Sequence, residues 1–192
     1  VRRLAAALSL ALYAGSASAA ELRSVEVNYH DGRYDLDSVV WFDASAENLF
    51  AVLSDWDIAP RFSSGIAEAE DLPPDGQGRP RFYIRNRGCV MFFCMSMERR
   101  GYVELQPYQF IVANGDPDFG DFEYSKETWL FEKAEGGTIV HYSFQVDPAF
   151  WVPPGIGPYL IKRTLKRGGA DAVNRIEALA QAWPDIDGVV LE

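Results

Sequence analysis

Tyr83, Arg85, Tyr124 and Tyr142 are the residues of this sequence that could do proton chemistry if a fold gathered them. Phenol and guanidinium groups inside an apolar cavity can hold an oxygenated molecule and move protons on it, because they donate hydrogen bonds where water is excluded. Alternation points Tyr142 inward, yet a tyrosine in an apolar row often packs as core with its hydroxyl at the rim. The two histidines, His30 and His141, stand beside a turn and on a polar strand face, with no Cys or second His at a useful spacing. Both read as solvent-facing. Asp116, Asp118, Asp121 and Glu123 could be drawn as calcium ligands, but they lack EF-hand spacing and read as an acidic loop. No G-x-S-x-G, H-E-x-x-H or phosphate loop occurs. No catalytic residue, metal site or cofactor is therefore assigned.

Cys89 and Cys94 are the only cysteines. A C-x4-C pair without His suits zinc poorly, and the spacing is not the C-x-x-C of redox motifs. How the pair reads depends on the compartment. Residues 1–20 resemble an export leader: Arg2-Arg3, an apolar run from Leu4 to Ala14, and a small-x-small site at Ala17-Ser18-Ala19. Ser18-Ala19-Ala20 offers a second cleavage site one register later. The apolar run is short for a bilayer span. The expected organisation is a leader over 1–20 and one domain over 21–192, periplasmic or secreted. In an oxidising compartment Cys89 and Cys94 then read as a disulfide, with buried thiols the competing reading. The net charge of −10 and pI of about 4.7 argue against general nucleic-acid binding.

The elements that must position these groups begin with a hairpin over 22–43, turning at Asp31-Gly32. Ser45 caps a short helix carrying Leu49, Phe50, Leu53 and Trp56, and a second short turn of helix follows. A strand over 66–72 and a loop at Pro73-Pro74-Asp75-Gly76 come next. An antiparallel meander is expected over about 80–88, 93–105, 109–115, 121–133 and 138–147. Pro153-Pro154 then holds the chain extended. A long helix follows over roughly 156–183, with Ile161, Leu165, Ala172, Ile176, Leu179 and Trp183 on one face. Lys162, Arg163, Lys166 and Arg167 form a basic patch on its outer side, read as a solvated helix face, with transient contact with a membrane surface the competing reading.

The helix must bury its stripe, and the concave face of the meander is the large apolar surface available. The expected fold is α+β: a curved antiparallel sheet wrapped around a C-terminal helix, a helix grip, with two short helices after the first strands. Gly168-Gly169 costs about 1 kcal/mol per residue against alanine in a helix interior. That cost reads as space left for a ligand. The expected lining is Trp41, Met95, Met97, Phe110, Trp129, Phe131, Tyr142 and Phe144 from the sheet, joined by Val39 and Val112. Ile161, Leu165, Gly168 and Ala172 complete it from the helix. Phe92-Phe93 and Phe150-Trp151 read as lid residues or as loops folded back on the core.

Three stretches, in this order, resemble one family. They are Phe42-Asp43-Ala44-Ser45-Ala46-Glu47 running on to Asp57, Trp129-Leu130-Phe131 with Gly136-Gly137-Thr138-Ile139-Val140-His141-Tyr142, and Phe150-Trp151-Val152-Pro153-Pro154 before the helix. The chain is similar to the START-like superfamily, in its bacterial polyketide cyclase/dehydrase and lipid transport branch, to which coenzyme Q-binding proteins are related. The resemblance implies a helix-grip fold with a hydrophobic cavity. It leaves two activities open: a carrier of a lipid, isoprenoid quinone or similar molecule, and a cyclase/dehydrase-type enzyme. The expected partner is a hydrophobic small molecule, and the chain is expected to be a monomer.

Overall fold

The structure is a computed structural model and describes residues 20–90, 93–152 and 156–189. The expected leader up to residue 19, Phe92 and the Pro153-Pro154-Gly155 approach to the helix lie outside the described residues.

The first hairpin pairs β1 (Glu21–His30) with β2 (Arg33–Phe42). Asp31 and Gly32 both take positive φ, 50° and 94°, which matches the two left-handed positions of a type I′ turn. The chain then leaves the sheet. Ser45 accepts a hydrogen bond from the Asn48 N–H at 3.1 Å and starts α1 (Ala46–Ser54). Asp55 caps a single 3-10 turn over Trp56–Ile58, and Pro60 lies in the first turn of α2 (Ala59–Phe62).

Six further strands follow: β3 (Ile66–Leu72), β4 (Arg81–Val90), β5 (Phe93–Gln106), β6 (Phe110–Gly120), β7 (Phe122–Ala134) and β8 (Gly137–Pro148). All pairings are antiparallel, and the sheet order is β1-β2-β8-β7-β6-β5-β4-β3. The segment with α1 and α2 thus crosses from one side of the sheet to its far edge. The last helix, α3 (Ile156–Ala182), has the expected bounds to within a residue.

One sheet face carries the core. Val40 and Phe42 of β2, Phe82 and Ile84 of β4, Val103 of β5, Ile111 and Ala113 of β6 and Val140 of β8 are buried in one cluster. Leu49, Val52 and Leu53 of α1 close on it, joined by Trp56, stacked on Phe82 at 4.7 Å. Val173, Ile176, Leu179 and Ala180 supply the contribution of α3, all from its C-terminal half. Side-chain–backbone bonds fasten that half to the corner after β2: Asn48 Nδ2 to the Ala180 carbonyl and Gln181 Nε2 to the Asp43 carbonyl, each at 2.9 Å.

The register corrects part of the expected lining. Along β2 the inward row is Tyr34, Leu36, Ser38, Val40 and Phe42. Val39 and Trp41 therefore face out, and the Trp41 ring lies against the Gly136-Gly137 turn. Ser38 is a polar residue in an inward position, so the apolar pattern looks shifted where the strand is not. On β6 the buried residues are Ile111 and Ala113. Phe110, paired with exposed Leu130, and Val112 are on the outer face.

Candidate functional site

A polar cluster sits in the middle of the apolar concave face. Arg99 of β5 is buried, and its Nη2 donates to Glu127 Oε2 of β7 at 2.5 Å. The Tyr142 hydroxyl of β8 donates to the other carboxylate oxygen, Oε1, at 3.0 Å. Strand parity puts all three on one face: Arg99 alternates with Gly101 and Val103, Glu127 with Trp129, and Tyr142 with Val140.

The pair balances in charge. Both groups are nearly excluded from water, with side-chain exposures of 6% and 12%. Each therefore depends on the other, since an unpaired buried charge costs several kcal/mol. Aromatic faces complete the surroundings: the Arg99 guanidinium lies 4.9 Å from the Phe144 ring centre and 5.4 Å from that of Phe82. Trp129 packs on Tyr142 with ring centres 4.2 Å apart. Burial first, then the Glu127 carboxylate, push the Tyr142 hydroxyl well above its ordinary pKa, against the opposing effect of Arg99. Tyr142 is accordingly a protonated donor across the physiological range.

Arg99 has donors to spare. Its Nε and Nη1 are buried and have no acceptor among the described residues. Leaving such a donor unsatisfied costs about 1–3 kcal/mol. Beside it the strands close up: Gly101 of β5 faces Gly115 of β6, and a Cβ on Gly101 would fall 1.8 Å from the Asn114 carbonyl oxygen. The two backbones approach there because neither residue has a side chain. The arrangement is an apolar, aromatic-lined surface with a fixed guanidinium at its centre, fit to orient an oxygen acceptor.

The expected ligand-contacting residues divide. Met97, Trp129, Tyr142 and Phe144 lie half-buried on the concave face around the cluster. Phe131 shares that face but packs on Phe50, ring centres 5.9 Å apart, as part of the core edge. Met95 has the right parity and is 43% exposed towards the hairpin end. Ile161, Leu165, Gly168 and Ala172 are half-buried on α3, Ala172 packed against the core. A Cβ built on Gly168 or Gly169 meets nothing within 4 Å. Trp41 and Phe110 are not part of the assembly.

Of the four polar candidates, Tyr142 alone enters the cluster. Tyr83 and Arg85 are on the opposite face of β4 from Phe82 and Ile84, and Arg85 pairs there with Glu68. The Tyr124 hydroxyl bonds to Gln145 on the outer face, with Arg33 over its ring. His141 pairs with Glu132 at the surface. Asp121 is a backbone brace, accepting from the Glu98 N–H at 2.7 Å.

Three carboxylates of Asp55, Asp57 and Asp71 do converge, their oxygens within 4.8 Å. Asp71 and Asp55 accept the Trp56 and Asp57 N–H groups of the turn after α1, Asp57 accepts the Asp71 N–H of β3, and burial raises the Asp71 pKa against the lowering effect of the Trp56 N–H. Two shallow pockets, of about 270 and 230 Å3, lie off the concave face. The larger is on the outer face, lined by Asp37, Val39, Leu130 and His141 among others.

Near the end of the sheet, Cys89 and Cys94 stand directly opposite each other in the β4–β5 register. Phe150 folds back on Phe122, ring centres 6.4 Å apart, while Trp151 is 79% exposed.

Sequence reasoning passed over Arg99 and Glu127. Both lie next to other charged residues, in Glu98-Arg99-Arg100 and Lys126-Glu127. The available signal was parity: Arg99 is two residues from Met97, and Glu127 two from Trp129.

Comparison with known proteins gives the fold a context. A family model described as polyketide cyclase/dehydrase and lipid transport matches residues 42–165. No curated protein sequence matches the chain. Among solved structures, the chain is similar to a STAR-related lipid transfer protein from Xanthomonas axonopodis at 15% identity, covering 85% of this chain and 99% of that one, TM-score 0.62. It is similar to human STARD10 at 13% identity, covering 84% and 74%, TM-score 0.61. It is similar to the Zhui aromatase/cyclase from a Streptomyces species, R1128, at 17% identity, covering 82% and 99%, TM-score 0.59. At such identities the likeness is one of fold, shared by transfer proteins and a cyclase alike.

Proposed function

Because the chain belongs to the polyketide cyclase/dehydrase and lipid transport family, we propose that it binds or carries a hydrophobic small molecule between the concave sheet face and α3. A lipid, an isoprenoid quinone or a similar molecule fits this surface. The reading rests on one observation: buried Arg99 keeps two donors without an acceptor among the described residues, amid aromatic side chains. The apolar body of the ligand lies on Trp129, Tyr142 and Phe144, and one carbonyl, carboxylate or phosphate oxygen meets Arg99. Orientation by a single polar group in an apolar site is the usual economy of small-molecule binding.

Export belongs to the same proposal. The sequence of residues 1–20 supports it, and so does the register that sets Cys89 against Cys94, which suits a disulfide in an oxidising compartment. The test is native mass spectrometry and solvent extraction of protein purified from the bacterial envelope. A bound apolar molecule bearing an oxygen function is the expected result. Ligand-free protein that also takes up no added lipid or quinone refutes the reading.

A second reading has its own observation. Arg99, Glu127 and Tyr142 converge at one point, as a cyclase/dehydrase-type enzyme would require. Both Glu127 oxygens are engaged, which favours holding a substrate over accepting its proton. Turnover of a polyketide-like substrate that is lost in Tyr142→Phe, with binding retained, would decide for the enzyme.

A further inference from the structure

Glu177 is a buried carboxylate with an unusual set of partners. It is 6% exposed, on α3 between the core residues Val173 and Ala180. Its Oε1 accepts the Asp43 N–H at 2.8 Å, and its Oε2 accepts the Ala20 N–H at 2.7 Å. Among the described residues no Lys, Arg or His pairs with it. Glu127 is the instructive counterexample, for it is comparably enclosed and carries Arg99 as counter-charge. Buried carboxylates are as a rule paired. The site around Glu177 has donors in place and is one positive charge short.

The nitrogen that could supply that charge is already in contact. Ala20 N stands at the distance of a charge-assisted bond. The residues before it are Ala17-Ser18-Ala19, a small-x-small leader site. Hydrolysis of the Ala19–Ala20 peptide bond by a leader-cleaving endopeptidase consumes one water. The C–N bond breaks, Ala19 leaves as a carboxylate, and Ala20 N becomes an α-ammonium. Cleavage one residue later, at the alternative site, would remove this nitrogen from Glu177 altogether and start the chain at exposed Glu21.

We propose that processing occurs between Ala19 and Ala20 and that Glu177 is the receptor for the new α-ammonium. The ion pair joins the start of β1, an edge strand, to the sealed half of α3 and the corner at Asp43. Maturation thereby tightens the fold where the leader is removed. The inference rests on the proposed export and is independent of what the concave face binds.

The decisive measurement is the N-terminus of protein recovered from the envelope of a host that exports the full chain. Ala20 as first residue is expected. A start at Glu21 or an uncleaved chain overturns the assignment and leaves export standing; protein confined to the cytoplasm overturns both. None of these results bears on ligand binding. A stability cycle tests the receptor role. Starting from the chain that begins at Ala20, a Gly-Ser extension should lower Tm by about 2–4 °C. The same extension should change nothing in Glu177→Gln. Acetylation of the Ala20 amine should reproduce the loss without touching Glu177. An extension effect of equal size in both backgrounds, or none on acetylation, overturns the proposal.

Discussion

The two halves of α3 meet the molecule on different terms. From Val173 onward, Ile176, Leu179 and Ala180 are sealed in the core and Glu177 is buried with them. Between Ile161 and Gly169 the apolar side is half-buried and the basic side exposed, with Arg163, Lys166 and Arg167 in solvent. One helix thus serves as anchor and as cover. The sealed half fixes the helix to the core, and the other half is packed less tightly. Buried charge follows the same division. Among the described residues, Arg99 and Glu127, on the concave face, are matched in charge and leave donors over, which suits a ligand, while Glu177, in the anchor, has no counter-charge, which suits a fixed cation.

The most damaging way to break this contrast is at Glu127. Glu127→Ala leaves Arg99 buried without a counter-charge and should cost about 3–5 kcal/mol of stability, read from the urea midpoint. A loss below about 1 kcal/mol would mean that water reaches the pair freely. Next comes the comparison within α3. Leu179 has no exposed surface, so Leu179→Ala should cost about 2–5 kcal/mol. Leu165→Ala, in the covering half, should cost about 1 kcal/mol or less. Equal losses would show that α3 packs alike along its length.

Tyr142→Phe removes one hydrogen bond to a carboxylate and should cost about 1.5 kcal/mol. Its pH signature has a definite sign. The folded-state pKa of Tyr142 is raised, so above pH about 10 the unfolded chain loses this proton while the folded chain keeps it. Stability contributed by the group is present below that pH and is lost as pH rises towards the folded value. Tyr34, pushed up to about 12 by burial and then by Tyr29, adds a loss of the same sign. Denaturation curves from pH 9 to 11.5 should show stability falling, and falling less steeply in Tyr142→Phe. Identical slopes would mean that Tyr142 titrates as an exposed phenol.

Much of this frame was legible beforehand, because long alternating strands and a 3.6-residue stripe each demand a particular partner surface. Ser45 as cap, Asp31-Gly32 as turn and the bounds of α3 follow from local chemistry. The inward faces of β2 and β6 did not. Ser38 interrupts the apolar row on β2, and both faces of β6 are apolar, so hydropathy could not assign the side. The polar cluster was hidden for a different reason. Arg99, Glu127 and Glu177 sit among other charges in sequence, and burial of a charge depends on a partner tens of residues away. Long-range pairing of that kind has no periodic signature.

The smallest expected effect on stability is also the sharpest test of the two halves. Gly168 lies in the covering half, and a Cβ there meets no atom within 4 Å. Gly168→Leu should therefore leave the fold intact, and helix propensity should raise stability by roughly 0.5–1 kcal/mol. On the proposed reading, the added side chain would occupy space that the ligand needs. Protein purified from the envelope should then carry less bound apolar molecule than wild type, with Tm unchanged or slightly higher. Paired with Leu165→Ala, which widens the same space, the substitution should shift ligand content in the opposite direction. If Gly168→Leu unfolds the protein, the glycines serve close packing and α3 is an anchor throughout. If it folds and retains full ligand content, the ligand lies elsewhere than beneath this half of the helix.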